Sequence, residues 1–357
     1  MIDMDGARTM TTSTTAMLAS TQVVLPDLPA IAGLRVRPFD IDRDLEAVVD
    51  LIFEANAADG EEYAPSVEDF RNEIEHRAHF DPGRDMLLAE IDGRLVAGTE
   101  HGVRLRAGVV QHELAGWVRP EVRRQGIGRS LLRWAERRGR EAASEWAGTE
   151  PHGFATEVGE KQAGAIALLE SEGYRRVRYG FMMTRPLSEP IPDTPLPEGF
   201  EVRPVVESDH RRIWDAVAEA FRDHWDPSER TDEDFVSMMS IPGIDTSLWR
   251  VAWAGDEVAG SVMNYIFAGE NEKLGVRRGW LEHVSVRRPY RRRGLAGALI
   301  ADSLRALRDK GLDEAALGVD AQNPSGALHL YESFGFRRHH TGISFRKPFM
   351  WHCRRAV

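Results

Sequence analysis

A run of arginines and glycines at residues 287–297, RRPYRRRGLAG, precedes an apolar helical pattern. The run falls between a predicted strand and a predicted helix, where unpaired backbone N–H groups and the positive end of the helix dipole face the same loop. Gly294, Ala296 and Gly297 allow close approach of the backbone to an anion, and the arginines add positive charge and bidentate donors. These features favour a loop that binds a phosphate group.

A second run of the same kind, RRQGIGR, occupies residues 123–129. A single copy is also compatible with an ordinary helix start that has a solvated basic edge, or with a patch that binds nucleic acid. Two copies at matched positions argue against the first alternative. The excess of 57 Asp and Glu over 46 Lys and Arg, a formal charge of −11, argues against the second. We therefore expect no nucleic-acid partner.

The two runs belong to a repeat that extends over most of the chain. Four segments recur in the same order, among them LRVRPFDI and FEVRPVVE at the start, and AIALLESEGYRR and ALHLYESFGFRR at the end. Arg291 follows Arg123 by 168 residues, and Gly335 follows Gly173 by 162 residues. These nearly equal spacings indicate a tandem duplication. A chain of 357 residues suits two domains.

Hydropathy and turn residues predict the order β–α–β–β–β–loop–α–β–α–β in each half. The fold class is therefore α/β, with two tandem domains that each have a mixed sheet flanked by helices. We expect a flexible N-terminal tail at residues 1–30, a first domain at 31–187, a proline-rich linker at 188–199 and a second domain at 200–357.

Composition restricts the remaining possibilities. Cys353 is the one cysteine, so an internal disulfide and a cysteine-based metal cluster are excluded, and no metal site is predicted. The sequence contains no stretch with the length and hydropathy of a membrane span and no secretion signal. These features predict a cytoplasmic protein without a membrane partner, either a monomer or a homodimer.

The combined motifs resemble those of a known superfamily. Arg291, Gly294 and Ala296 fit the pattern Arg-x-x-Gly-x-Gly/Ala, and NPSGALHLYESFGF, which contains Asn323 and Tyr331, follows at the usual place. The pattern is similar to that of the GNAT superfamily of acyl-CoA-dependent N-acyltransferases. The likeness covers both halves, is stronger in the second, and has the two-copy layout of the mycothiol synthases. It implies acetyl-CoA as the cofactor and a small-molecule amine as the acceptor.

The resemblance also implies which residues hold the cofactor. Backbone amides of the second loop would bind its pyrophosphate, and the preceding strand would bind its pantetheine arm as an added strand does. In the second half these residues are Val284, Ser285, Val286, Arg291, Arg292, Arg293, Gly294, Leu295, Ala296, Gly297 and Asn323. In the first half they are Val118, Arg123, Arg124, Gln125, Gly126, Ile127, Gly128 and Arg129.

Acetyl transfer to an amine requires a deprotonated nucleophile, a donor for the developing oxyanion and a proton for the leaving thiolate. The resemblance makes Tyr331 the general acid, and its ordinary pKa of about 10 is close to that of an alkyl thiol. Glu282 alternates with Val284 along a predicted strand and is the candidate base. Asp320 is the alternative base, and His283 is expected to lie on the opposite face in a structural role.

The halves differ where this chemistry would occur. Leu114 stands at the position of Glu282, Glu113 is one residue out of step, and Leu169 stands at the position of Tyr331. We therefore expect the first half to bind CoA without efficient catalysis, and the second half to carry out the reaction. Acidic segments in both halves, EANAADGEEYAPSVEDF and FRDHWDPSERTDEDF, are compatible with a site for a cationic acceptor and equally with a solvated helix face. A sensor that binds acyl-CoA without turnover, a biosynthetic enzyme of the mycothiol synthase kind and an antibiotic-modifying enzyme remain open.

Overall fold

A computed structural model of the chain describes residues 23–228, 230–323 and 325–349. The strands of the first half are β1 (Leu34–Pro38), β2 (Met86–Ile91), β3 (Arg94–Arg106), β4 (Val109–Val118), β5 (His152–Gly159) and β6 (Arg175–Pro186). Those of the second half are β7 (Glu201–Val202), β8 (Arg250–Ala254), β9 (Glu257–Tyr265), β10 (Arg278–Val286), β11 (Glu314–Asp320) and β12 (Arg337–Pro348).

Ten α-helices occur in the described residues. Those of the first half are α1 (Ile41–Ala57), α2 (Val67–Glu75), α3 (Pro82–Asp85), α4 (Ile127–Glu145) and α5 (Ala163–Ser171). Those of the second half are α6 (His210–Phe221), α7 (Asp232–Met239), α8 (Ala268–Leu274), α9 (Leu295–Asp309) and α10 (Ala327–Ser333). Within these residues, none of the helices has the length and apolar character needed to span a membrane.

The element order confirms the predicted fold class, a mixed α/β architecture made twice. Helix α1 shows how the sequence determines one element: the Asp40 side chain caps its N-terminus by accepting from the Asp42 N–H at 3.1 Å, and Leu45, Val48 and Ile52 form its buried stripe. The second half has an additional helix. Helix α8 lies between β9 and β10, where the first half has only the two-residue turn Ala107–Gly108.

All twelve strands form one continuous sheet, in which the last strand of each half is exchanged. The order is β1-β2-β3-β4-β5-β12-β6-β11-β10-β9-β8-β7, so β12 of the second half pairs with β5 of the first, and β6 of the first pairs with β11 of the second. At the centre, Gly180 lies opposite Gly342, its equivalent 162 residues later. A pseudo-twofold axis therefore passes between β6 and β12.

The segments that precede each repeat also pack on the structure. Residues 23–30, assigned above to the tail, bring Leu25 into a buried apolar cluster beside α4, whereas residues 1–22 lie outside the described residues. The predicted linker runs equivalently over α9. A carbon added to Gly126 would lie 3.8 Å from Pro29, and one added to Gly294 would lie 3.9 Å from Pro197. The predicted linker is thus the segment that precedes the first strand of the second repeat, equivalent to residues 23–30 of the first.

Strand exchange predicts that residues 188–357 do not form a stable unit alone. Within the fragment β12 loses both neighbours and β11 loses β6, which leaves long unpaired strand edges. We expect an aggregating fragment without a cooperative thermal transition, and recovery of a folded complex on co-expression with residues 1–187. Circular dichroism and gel filtration would measure both outcomes. A monomeric fragment that unfolds cooperatively would show that β12 can pair within its own half.

Candidate active site

Two pairs of parallel strands open the sheet at matched places. Strands β4 and β5 pair only through residues 110–113 and 152–155, and β10 and β11 only through residues 278–280 and 314–316. Beyond these points the strands diverge. Both openings contribute to one cavity of about 1410 Å³, which extends between the two halves. Its size is sufficient for an extended cofactor arm together with an acceptor.

The second arginine-glycine loop forms a backbone cradle at one end of this cavity. Arg292 (φ 63°) and Gly294 (φ 84°) adopt left-handed conformations, and the first intrahelical bond of α9 runs from the Ala298 N–H to the Gly294 carbonyl at 3.2 Å. Among the described residues, the N–H groups of residues 292–297 have no hydrogen-bond acceptor. Arg292, Gly294, Ala296 and Gly297 line the cavity. The predicted anion cradle is therefore present as free backbone donors.

The arginine side chains of this loop have different tasks. The Arg291 guanidinium donates to the carbonyls of Val286 (2.9 Å) and Ala220 (3.2 Å) and to the Asp223 carboxylate (2.7 Å). Arg293 donates to the carbonyl of residue 198 and lies over the Phe200 ring at 4.3 Å. The sequence suggested that residues 291–293 supply charge and donors to an anion, and in the structure the guanidinium groups of Arg291 and Arg293 are engaged by the protein, although Arg291 also lines the cavity. They hold the loop, and Arg292 is the arginine of the three that has no partner within the described residues.

The first-half loop has nearly the same geometry in a different setting. Arg123 donates to the carbonyls of Val118 and Ala55 and to Asp59, and Arg124 (φ 63°) and Gly126 (φ 94°) are again left-handed. Of the other residues assigned to this loop, Gln125 is exposed, Ile127 is buried, Gly128 is half-buried and Arg129 pairs with Glu172 at 2.9 Å. Residues 123–129 do not line the described cavity.

Strand β10 contains a bulge at the candidate base. Glu282 pairs with Met263, and the next registered pair is Ser285 with Ser261, so His283 and Val284 together stand opposite one residue. His283 has a φ of 48°. The predicted alternation therefore fails here: Glu282, His283 and Val284 all line the cavity. The expectation that His283 lies on the opposite face in a structural role is wrong in its placement.

The bulge belongs to the second half alone. The equivalent strand β4 pairs with β3 residue by residue, without a shift in register from Val109 to Val118. His283 and Val284 have no Cα partner in the β9 register, so the bulge interrupts the regular ladder at these two residues. Ser285 instead faces the neighbouring strand, with its hydroxyl 3.1 Å from that of Ser261. Val286 borders the cavity.

Burial shifts the pKa values of the two ionisable side chains of the bulge in opposite directions, and only the shift of Glu282 favours proton acceptance. Desolvation raises the pKa of Glu282 above its ordinary value. Desolvation, together with the charge of Arg230, lowers the pKa of His283 to about 3, so the imidazole is neutral at physiological pH. The Nδ1 atom of His283 is buried and has no hydrogen-bond partner in the part of the chain that the structure describes. Sequence reasoning placed this histidine on the wrong face because the bulge leaves no simple signal in the residue pattern.

Tyr331 lies on α10 and lines the same cavity. Its side chain is buried, and its ring meets that of Phe336 edge-on at 6.1 Å between centroids. Burial, and secondarily the negative charge of Glu282, raise the pKa of Tyr331 above its ordinary value. The phenol therefore keeps its proton across the physiological pH range and stands close enough to Glu282 to sense its charge.

Asp320, the alternative base, is committed elsewhere. Its carboxylate accepts two hydrogen bonds from Arg178 at 2.8 and 2.6 Å and a third from the Gln322 N–H at 3.0 Å. Although burial opposes the effect, these partners lower the pKa of Asp320. A carboxylate held in this way is a poor proton acceptor. Asn323 borders the cavity, and its Oδ1 accepts from the Ser325 N–H at 2.9 Å.

Five glutamates make the lining of the cavity acidic. Glu61, Glu62 and Glu157 line it from the first half, and Glu270 and Glu282 from the second. Desolvation raises the pKa of Glu270 to about 7, and its carboxylate accepts from the Trp280 Nε1–H at 3.1 Å. The acidic segments noted in the sequence supply Glu61 and Glu62. Glu270 comes from the additional helix α8 and Glu157 from β5, and sequence reasoning named neither.

The first half has no equivalent proton-transfer groups at the matched positions. Leu114 and Leu169 are buried in one apolar cluster. Glu113 pairs with Arg106 at 3.0 Å and does not line the cavity. The cavity is thus lined by polar groups of the second half, Glu282, His283 and Tyr331, and by glutamates of both halves. These glutamates together are called the acidic wall.

Comparisons with known proteins agree with this geometry. The model of the Acetyltransferase (GNAT) family matches residues 46–174 and 210–336, more than half of the chain. A mycothiol acetyltransferase from Geodermatophilus obscurus is 31% identical over 317 residues, which cover 86% of this chain and 97% of the relative. A second, from Salinispora arenicola, is 34% identical over 233 residues, which cover 64% of this chain and 71% of the relative.

Solved structures give the same result. A GCN5-related N-acetyltransferase from Sphaerobacter thermophilus aligns with a TM-score of 0.71 at 29% identity, covering 91% of this chain and 97% of that one. A tandem GNAT protein from the clavulanic acid biosynthesis pathway shares the fold, with a TM-score of 0.61 at 18% identity and coverage of 88% and 98%. The chain, an acyltransferase built from two tandem GNAT domains, belongs to the GNAT family of acetyltransferases.

Proposed function

We infer that the protein transfers an acetyl group from acetyl-CoA to a primary amine of a small molecule, with the chemistry in the second half. Membership of the GNAT family supports an acyl-CoA donor. One observation carries the assignment of the second half: the free amide cradle, Glu282 and Tyr331 all open into the same cavity. At the matched positions of the first half, Leu114 and Leu169 are buried and apolar.

The backbone N–H groups of residues 292–297 would hold the pyrophosphate of the acyl-CoA. The Arg292 guanidinium, which has no partner within the described residues, would lie beside them. The edge of β10 that leaves β11 after residue 280 offers unpaired backbone groups to an extended pantetheine arm. Acetyl-CoA supplies the acetyl group as a thioester. By the same reasoning the first-half loop could hold a second CoA, but it does not border the catalytic cavity.

Three elements of the chain would serve the transfer. The Glu282 carboxylate would accept the proton of the ammonium group, directly or through water, and the neutral His283 beside it would add no positive charge to the site. The bulge N–H groups of His283 and Val284 are candidates to donate to the oxygen that becomes negative. Tyr331 would donate its phenolic proton to the departing sulfur. No covalent enzyme intermediate is required.

The acidic wall supports a cationic acceptor. Glu62, Glu157 and Glu270 line the same cavity as the amide cradle, so a protonated amine would be attracted into the cavity before it loses its proton at Glu282. Two of the similar relatives are mycothiol acetyltransferases. The amino-sugar precursor of mycothiol is therefore the first acceptor to test.

A turnover assay tests this function. Release of free CoA would be measured with acetyl-CoA and a panel of amines that includes the mycothiol precursor, an aminoglycoside and simple primary amines. We expect acetylation of at least one cationic amine, and we expect mass spectrometry to show that the acetyl group is on the nitrogen. Stoichiometric binding of acetyl-CoA without turnover on any amine would instead support a sensor.

A matched pair of variants tests the cradle within the same assay. Ala296→Glu places a negative charge in the first turn of α9, where glutamate is compatible with the helix but repels a pyrophosphate. We expect the KM for acetyl-CoA to rise about tenfold or more, a loss of roughly 1.4 kcal/mol in binding. The equivalent change Gly128→Glu in the first half should leave KM and kcat nearly unchanged. The opposite pattern would place the chemistry in the first half.

A further inference from the structure

A second cluster of potential ligands lies beside the cavity, at the junction of the two halves. Glu62 follows α1 of the first half, and His339 and His340 lie near the start of the exchanged strand β12. Their three ligand atoms lie within 4.8 Å of one another, and Glu62 and His340 line the cavity. The catalytic assignment above makes no use of either histidine.

A register shift explains how two consecutive histidines reach one side of a strand. Arg338 pairs with Met183 and His340 with Met182, so one extra residue is accommodated in β12 at His339. The two imidazole centroids are consequently 4.3 Å apart. In a regular strand, neighbouring side chains would point to opposite faces and could not share a ligand.

One separation is close to that of two zinc ligands, and the other is a hydrogen bond that a bound metal would replace. Glu62 Oε1 lies 2.8 Å from His339 Nε2 and 3.6 Å from His340 Nε2. Ligands of a tetrahedral Zn²⁺ lie about 2.0–2.2 Å from the ion and therefore about 3.4 Å from each other. The second oxygen of Glu62 is engaged by Arg278 at 2.8 Å, which leaves Oε1 as the available ligand atom.

The surroundings of His340 point to the same use. Its ring is buried, yet neither ring nitrogen has a hydrogen-bond partner among the described residues. Glu61 Oε2 lies 3.6 Å from Nδ1, on the side opposite Glu62. A carboxylate behind one ring nitrogen orients the other toward a metal in many histidine sites. An unbonded buried imidazole between two carboxylates requires such an explanation.

We propose that Glu62, His339 and His340 form a site for a divalent transition metal such as Zn²⁺, with Glu61 as the positioning residue for His340. Two imidazoles and one carboxylate are a ligand set that suits zinc. Three protein ligands leave a fourth position for water or another small ligand. Because Glu62 belongs to the first half and the histidines to the second, the ion would also fasten the halves together.

Calorimetric titration of the full, chelator-treated chain with Zn²⁺ tests the site. All proteins would carry His352→Asn and Cys353→Ser, which removes two further potential ligands that lie outside the described residues. We expect one Zn²⁺ per chain, a rise in Tm on binding, and visible absorption bands of a low-symmetry site with Co²⁺. His340→Asn should weaken the apparent affinity about a hundredfold or more, and Glu61→Gln about tenfold.

His329→Asn is the matched control, because this side chain is 93% exposed on α10 and is not part of the cluster. It should leave the affinity and the Co²⁺ bands unchanged. Zn²⁺ uptake equal in the reference protein and in a His339→Asn/His340→Asn variant would overturn the proposal, as would no uptake by a reference protein with a normal thermal transition. Neither readout depends on acetyl transfer, so failure here leaves the proposed function intact.

Discussion

Replacement of Tyr331 with phenylalanine is expected to lower kcat about a hundredfold or more, the usual contribution of a positioned general acid. The phenol lies in the cavity near Glu282, and burial together with that charge raises its pKa, so it holds a proton at neutral pH. Without the hydroxyl, the leaving thiolate must take its proton from water. The Kd for acetyl-CoA, measured by calorimetry, should change little because the amide cradle is untouched.

Tyr179→Phe is the matched control for this change. Tyr179 borders the same cavity but lies on β6, with 39% of its surface exposed. Its loss should alter kcat by less than about twofold, since an exposed surface hydroxyl contributes little. If Tyr331→Phe retained wild-type kcat, the phenol would have a packing role only, and water or another group would protonate the sulfur.

Local geometry explains why both arginine-glycine loops could be predicted. A left-handed residue at the start of a helix strongly favours glycine, so Gly126 and Gly294 mark the loops in the sequence itself. The tasks of the arginines depend on distant residues. Arg291 is held by Asp223 and the Ala220 carbonyl. Both residues lie far earlier in the sequence than the loop, and nothing in the local pattern identifies them.

Strand pairing is the part of the fold that the sequence did not reveal. The alternation in β6 and β12 predicts two strands, but it does not specify their partners. Both strands are compatible with pairing inside their own half. The pseudo-twofold pairing of Gly180 with Gly342 is a tertiary property. For the same reason the cavity could not be predicted as a shared one, with walls from both halves.

The asymmetry of the site has a structural origin in two insertions. The bulge in β10 adds one residue and places His283 beside Glu282, whereas β4 has none. Helix α8 replaces the turn Ala107–Gly108 and brings Glu270 to the cavity, and it contacts the first half through Lys273, whose ammonium donates to the residue 65 carbonyl at 3.2 Å. The two halves share the loop geometry, whereas these local additions bring His283 and Glu270, and substitution at matched positions brings Glu282 and Tyr331, to the cavity.

Glu282→Gln is expected to lower kcat/KM about a hundredfold or more at neutral pH, because the amide cannot accept the ammonium proton. The pH profile gives the sharper test. Glu282 must be ionised to act as a base, and burial raises its pKa above the ordinary value of 4.5. Activity of the native enzyme should therefore rise as the pH passes upward through that raised pKa, and the variant should lack this acidic limb.

The pH profile also separates Glu282 from its neighbours. His283 has a pKa lowered to about 3, so it is already neutral where Glu282 titrates and cannot produce a limb above pH 4.5. Glu157→Gln is the control, since this carboxyl also lines the cavity and also has a pKa raised by burial. It should keep the acidic limb. Persistence of the limb at the same pH in Glu282→Gln would assign proton acceptance to another group. Glu270 would be the first group to examine, because its pKa of about 7 also lies above the ordinary value of a carboxyl group.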